Sequence, residues 1–165
     1  MSEPADGSVG EHLRSVVDRL GDDGPLPPHY PTCLGCGPDA EQGFHLVVRR
    51  EGDEVVADHV FERRHGGAPG IAHGGAVATV VDDVLGFLLY LEGIPGVTRM
   101  LEVEYLKPVL VGVPYTVRGR VDERDGRKVW VSCSGRDGDG VEAFRAKGLF
   151  LEVHLEHFAQ ATVTP

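Results

Sequence analysis

Residues 76–91, AVATVVDDVLGFLLYL, are apolar on nearly every side, yet carry Asp82 and Asp83 together at their middle. A stretch of this length is short for a membrane span, and two carboxylates at the centre of a bilayer would be costly. It is read as a helix buried inside a soluble protein. One sheet face covers only one side of such a helix, so a sheet must wrap it or a partner must cover the rest.

The flanking chain supplies that sheet. Residues 44–50 and 54–61 are strand candidates separated by a turn at Glu51-Gly52-Asp53. Four more strands follow the apolar segment. In 99–107, Leu101, Val103 and Tyr105 alternate with Glu102 and Glu104, and in 115–121, Tyr115, Val117 and Val121 alternate with Thr116, Arg118 and Arg120. In 127–134, Val129, Val131 and Cys133 share one face, and 141–153 is the last strand. Their linkers (PVLVGVP, DERDG, RDGDG) are turn chemistry. Two strands, one helix and about four antiparallel strands define an α+β layer. Upstream, Leu13, Val16, Val17 and Leu20 recur at helical spacing, and the Gly/Pro-rich stretch at 21–39 reads as an ordered loop.

The chain has 165 residues, enough for one core, and a formal net charge of -10. Such acidity makes nucleic acid and anionic membrane surfaces poor partners. Three cysteines argue against a disulfide framework and fit a reducing, cytoplasmic setting. The opening MSEPADGSVGEHLRSVV has no basic start and no apolar stretch, so it is not read as a signal peptide.

The chemistry centres on His73-Gly74-Gly75 and the helix that follows. Two glycines allow a tight turn and close approach of a ligand. The first N–H groups of a helix lack partners within it, and with the helix dipole they favour negative charge, such as a developing oxyanion. About two turns further on lie Asp82 and Asp83. A carboxylate on an apolar helix is costly unless paired or used, and burial makes it a better base near neutral pH.

Four segments resemble one family: CLGCGPDAEQGFHL at 33–46, GAPGIAHGGAVATVVDDVLG at 67–86, VTRMLEVEYLKPV at 97–109 and GRKVWVSCSG at 126–135. They are similar to the hotdog-fold acyl-CoA thioesterases, in particular the HGG subgroup with its phenylacetate-degradation and Akt-binding varieties. HGG, an acid nine residues after the histidine, and T-x6-Y-x-x-P carry the resemblance. It implies a hotdog fold over 33–158, preceded by a helix and loop at 1–32 and followed by a tail at 159–165. It implies hydrolysis of an acyl-CoA, with Asp82 as general base or nucleophile. Gly74 would offer its N–H to the carbonyl, Thr98 would orient water, and His73 would support the carbonyl or the loop. Some members place Asn or Gln six residues before this histidine, where the present chain has Gly67 and matches the GAPGxAHGG variety instead. Gly75, Asp83, Arg99, Lys107 and Arg127 are implied substrate contacts, with Arg63, Arg64 and Lys128 as further candidates for the CoA phosphates. A homodimer or homotetramer, with the site between two chains and no cofactor, completes the expectation.

Asp82 and Asp83 lie about 100° apart around a helix, so one faces the site and the other a loop or partner; the spacing favours Asp82. Gly86 and Phe87 are candidates to set acyl-tunnel depth. Trp130, Tyr105 and Phe87 are expected in the core. Cys33-x-x-Cys36 invites a metal, but supplies two ligands where structural zinc takes four, and His29 and His45 show no standard spacing, so none is expected. A hotdog hydratase or dehydratase and a non-catalytic acyl-CoA-binding module are the competing functions. The first normally needs a His paired with an acid across the site; the second would bind without turnover.

Overall fold

The computed structural model describes residues 18, 19, 21 and 24–154. The helix expected at 11–20 and the tail from 159 lie largely or wholly outside the described residues.

Strands β1 (Val48–Glu51) and β2 (Glu54–Val60) form a hairpin around Gly52, whose φ of 61° suits the turn. A short hairpin, β3 (Gly66–Ala68) and β4 (Ile71–Ala72), precedes the central helix α1 (Gly74–Gly86). Helix α2 (Leu88–Glu92) continues it after Phe87 and ends at Gly93, in the left-handed conformation at φ 65°. The sheet is completed by β5 (Gly96–Tyr105), β6 (Pro114–Asp125), β7 (Lys128–Asp137) and β8 (Glu142–Glu152). All pairings are antiparallel, in the spatial order β1-β2-β6-β7-β8-β5. One long helix against a large antiparallel sheet is the hotdog arrangement. The expected strand of 44–50 begins only at Val48, because Phe44 and Leu46 donate their N–H groups to Leu34 and Gly35 of the preceding loop.

Helix α1 forms because His73 caps it and because Val77, Val80, Val81, Val84 and Leu85 recur on one stripe. All five are at most 1% exposed, and each contributes roughly 1.5–3 kcal/mol by leaving water. The sheet makes room through small residues: a Cβ on Gly119 or Gly148 would sit 3.4 or 3.5 Å from Leu85. The second side of the helix is covered in part by the N-terminal loop, whose Leu26 and Cys36 join the same core. That loop, rather than a partner alone, answers the excess of apolar surface.

The two sheet edges differ. Edge strand β1 is blunted by a bridge from Pro25 to Arg49 and by the Leu26 N–H donating to Val48 O at 2.7 Å. Edge strand β5 has ten residues and pairs only with β8 among the described residues. Met100, Tyr105 and Leu106 stand 40–48% exposed along or just beyond it. A long, bare edge with apolar side chains is a surface for another strand.

Candidate active site

His73 sits at the N-cap with extended backbone, and its Nδ1 accepts the Gly75 N–H at 2.8 Å. The Gly74 N–H is the first of the helix and has no acceptor within it. Tyr105, expected in the core, instead reaches across from the end of β5 and donates its hydroxyl to Gly74 O at 2.6 Å. Gly67 lies against His73: a Cβ there would come 2.8 Å from the His73 Cα. No side chain fits at that position, so an amide could not be presented from it in this backbone. His73 thus takes up the N–H groups of Gly75, Ala76 and Val77, and leaves that of Gly74 as the one without a helical acceptor.

Asp82 is half-buried two turns further on. The Thr98 hydroxyl donates to its Oδ1 at 2.9 Å. Burial pushes the Asp82 carboxyl above the usual carboxylate range; the Thr98 hydrogen bond opposes this, the like charge of Asp83 adds to it, and His29 opposes it. Thr98 reaches Asp82 because β5 is irregular between Thr98 and Met100. A bulge leaves Arg99 without a partner in β8 and turns Thr98 onto the helix face shared by Leu101, Val103 and Tyr105.

Eight helical residues separate Gly74 from Asp82, about 12 Å at 1.5 Å per residue. One carbonyl cannot touch both within a single chain. The chain therefore carries two candidate half-sites at opposite ends of β5: Asp82 with Thr98, and Gly74 with Tyr105. The basic candidates divide in the same way. Arg127 donates to Glu152 O at 2.9 Å, beside the Gly96 end of β5, whereas Lys107 follows its other end. Arg99 is exposed on the bulge. Arg64 is engaged by Glu62 at 3.0 Å and Gly43 O at 2.8 Å, while Arg63 and Lys128 are exposed.

Asp83, expected among the substrate contacts, faces the other way. It is 8% exposed and lies under the N-terminal loop. Its Oδ1 meets His29 Nδ1 at 3.1 Å and accepts from the Cys33 thiol at 3.2 Å. Cys36 Sγ lies 3.4 Å from His29 Nδ1, and burial pushes the Cys36 thiol up. Gly86 and Phe87 belong to this side as well: the Phe87 ring lies against His29, tilted, at 4.0 Å, and a Cβ on Gly86 would meet His29 at 3.1 Å. They therefore line the loop contact. His29 is set aside in the sequence for want of a standard spacing, because only the fold brings it to Asp83.

A shallow concavity of about 530 Å³ lies on the outer face of the sheet, among Glu54, Glu102, Glu104, Arg118, Arg145 and Lys147. It is lined by ion pairs such as Arg145–Glu104 at 2.8 Å, and neither half-site borders it.

The thioesterase superfamily model matches residues 69–144. The acyl-coenzyme A thioesterase THEM4 of Bos taurus is 31% identical over 117 residues, covering 69% of this chain and 48% of its own. The chain thus spans about half the length of the curated relative. The crystal structure of RHA08564, a thioesterase superfamily protein, superimposes with a TM-score of 0.69 at 27% identity, over 88% of this chain and 74% of its own. A thioesterase-like protein of Streptococcus pneumoniae, solved with coenzyme A, shares the fold at a TM-score of 0.61 and 20% identity, over 65% of this chain and 84% of its own.

Proposed function

The chain belongs to the thioesterase superfamily, and from that premise we propose that it hydrolyses acyl-CoA thioesters to free acid and CoA, with Asp82 as general base. The observation that carries the reading is the Asp82–Thr98 pair: a half-buried carboxylate on an otherwise apolar helix, held at 2.9 Å by a hydroxyl. The relative from Bos taurus and the coenzyme A complex support the substrate class.

In this mechanism Asp82 takes a proton from water as its oxygen attacks the thioester carbon. The oxyanion forms at the Gly74 N–H, at the positive end of α1. The C–S bond then breaks, and the proton on Asp82 passes to the departing CoA sulfur. Thr98 keeps Asp82 aimed at the water.

The 12 Å separation of the half-sites is met by dimerisation through the open edge of β5. Antiparallel pairing about a two-fold axis at Glu102, with the bulged Arg99 skipped, sets Thr98 of one chain opposite the partner subunit's Tyr105. Asp82 then faces the partner subunit's Gly74. The same register sets the partner subunit's Lys107 opposite Gly96, beside Arg127 and close to Arg99. Basic residues at two ends of one chain thereby become one cluster for the CoA phosphates. A dimer, or a tetramer made of two such dimers, in a reducing cytoplasmic setting completes the proposal.

Free-thiol release from acyl-CoAs of graded length, aromatic ones included, tests it. Wild type turns over at least one of them, and Asp82→Asn loses turnover by about a hundredfold or more. Full activity in Asp82→Asn, or loss only in Asp83→Asn, overturns the assignment of Asp82.

A further inference from the structure

Three residues of the N-terminal loop, His29, Cys33 and Cys36, converge on Asp83, more than 45 positions later in the chain. Their ligand atoms, one imidazole nitrogen, two sulfurs and one carboxylate oxygen, all lie within 4.8 Å of one another. Three of the pairwise distances are 3.1, 3.2 and 3.4 Å. A tetrahedral ion with bonds of about 2.0–2.3 Å has ligand-to-ligand edges of roughly 3.3–3.8 Å. The four donors need only small adjustments to surround one ion.

We propose that His29, Cys33, Cys36 and Asp83 bind a divalent transition-metal ion, zinc by preference, that clips the N-terminal loop to helix α1.

Two further observations point to a cation. Asp83 Oδ2 is buried and has no hydrogen-bond partner among the described residues. A carboxylate left so costs stability unless a cation compensates it. The loop is also moulded to the carboxylate: a Cβ on Gly35 would lie 2.2 Å from Asp83 Cγ. Outside the four donors, the His29 backbone N–H donates to Cys36 Sγ at 3.3 Å, the kind of outer contact that steadies a metal-bound sulfur. The His29 ring is held between Phe87 at 4.0 Å and Tyr90 at 5.4 Å. A mixed sulfur, nitrogen and oxygen set of four excludes magnesium and calcium, which take six or more oxygens, and suits zinc or cobalt. Four protein ligands leave no open position, which makes the site structural. Binding forms four metal–ligand bonds and releases the thiol protons of Cys33 and Cys36 to solvent, with no redox change. Asp82 is the next residue to Asp83, so the clip fixes the turn of α1 that presents the base without entering its chemistry.

The inference stands apart from the hydrolase reading. The test is elemental analysis of the purified full chain after exchange into buffer with zinc, together with cobalt(II) titration of the chelator-treated chain. We expect one zinc per chain, tetrahedral ligand-field bands and thiolate-to-cobalt charge transfer. Zinc slows reaction of Cys33 with an aromatic disulfide reagent. Asp82→Asn keeps all three signals. Asp83→Asn lowers zinc affinity by about tenfold or more, and Cys36→Ser reduces the charge-transfer band to that of one sulfur. Should the folded wild type, checked by circular dichroism, bind substoichiometric zinc and give only octahedral cobalt bands, the proposal is wrong. A Cys33–Cys36 disulfide persisting in excess reductant would overturn it equally. Both outcomes use wild type alone, so a variant that fails to fold does not shield the idea.

Discussion

A site shared between chains has a consequence that a site within one chain lacks: two inactive variants restore activity when mixed. The perturbation to pair with Asp82→Asn is Gly74→Pro, which deletes one N–H and little else. Gly74 is the first helical residue, where proline is tolerated because its N–H has no helical partner. His73 before it has φ -64° and ψ 136°, the extended conformation that a residue preceding proline favours. A Cβ at Gly74 would meet the Tyr105 hydroxyl at 3.3 Å, a contact that a small side-chain shift relieves. Loss of one oxyanion donor lowers kcat by about 100- to 1,000-fold, and loss of the base by about a hundredfold or more. In a heterodimer of the two variants one site carries both lesions and the other carries neither. Random assortment of equal amounts makes half the dimers mixed, each with one intact site of two, so activity returns to about a quarter of wild type. Co-expression of the two variants, with thiol release per active chain as the readout, measures this. Refutation would be a mixture that forms heterodimers, by native mass spectrometry, yet stays at the level of its inactive parents. Full activity in Gly74→Pro homodimers would remove Gly74 as the donor.

Thr98→Val keeps shape and removes the 2.9 Å hydrogen bond to Asp82; kcat should fall about 10- to 100-fold, the size of a hydrogen bond to a charged group, with KM little changed, and an unaltered kcat would show that Thr98 does not aim the base. A second expectation concerns acid stability. His59 is 9% exposed among Phe44, Phe61 and His65. Burial and the positive charges of His65 and Arg64, against Glu62, lower its pKa from 6.5 to about 4. The unfolded chain takes up this proton first, so the stabilising contribution is complete above pH 6.5 and is lost as pH falls towards 4, on the order of 3 kcal/mol in all. Urea unfolding midpoints taken between pH 7.5 and 4.5 should drop steeply in wild type and less in His59→Leu; parallel slopes would exclude His59 as the source.

The helix and the order of strands were legible because each rests on local pattern. An apolar run too long for a strand and interrupted by Asp82 and Asp83 has few folds open to it, and the alternation in 99–107, 115–121 and 127–134 marks sheet. What local pattern could not supply was the role of the loop before β1. Phe44 and Leu46 read as strand residues, yet their backbone N–H groups serve Leu34 and Gly35 of that loop. The loop's own chemistry became visible only when the fold brought His29 and Asp83, 54 positions apart, to 3.1 Å.

The site was half legible for a reason that lies in β5. His73, Gly74 and Asp82 follow from a short motif on one helix, and their spacing survives folding unchanged. Thr98 is named through the family resemblance but does not follow from the strand pattern. In a regular strand, Leu101, Val103 and Tyr105 share a face from which an even-numbered residue is excluded, so strict alternation turns Thr98 away from Asp82. The bulge at Arg99 reverses the parity and brings the two together. A one-residue irregularity leaves no mark in composition or periodicity, yet it decides whether the carboxylate has its hydroxyl partner. The same strand carries Tyr105 out to Gly74 rather than into the core, because the inner face of β5 runs past the sheet's apolar centre to the helix N-terminus. Deleting Arg99 would therefore leave a regular strand with Thr98 opposite Phe150 and Met100 opposite Leu149, so Thr98 would keep its face towards Asp82. The Tyr105 hydrogen bond to Gly74 would survive, since the residues beyond the bulge keep their face.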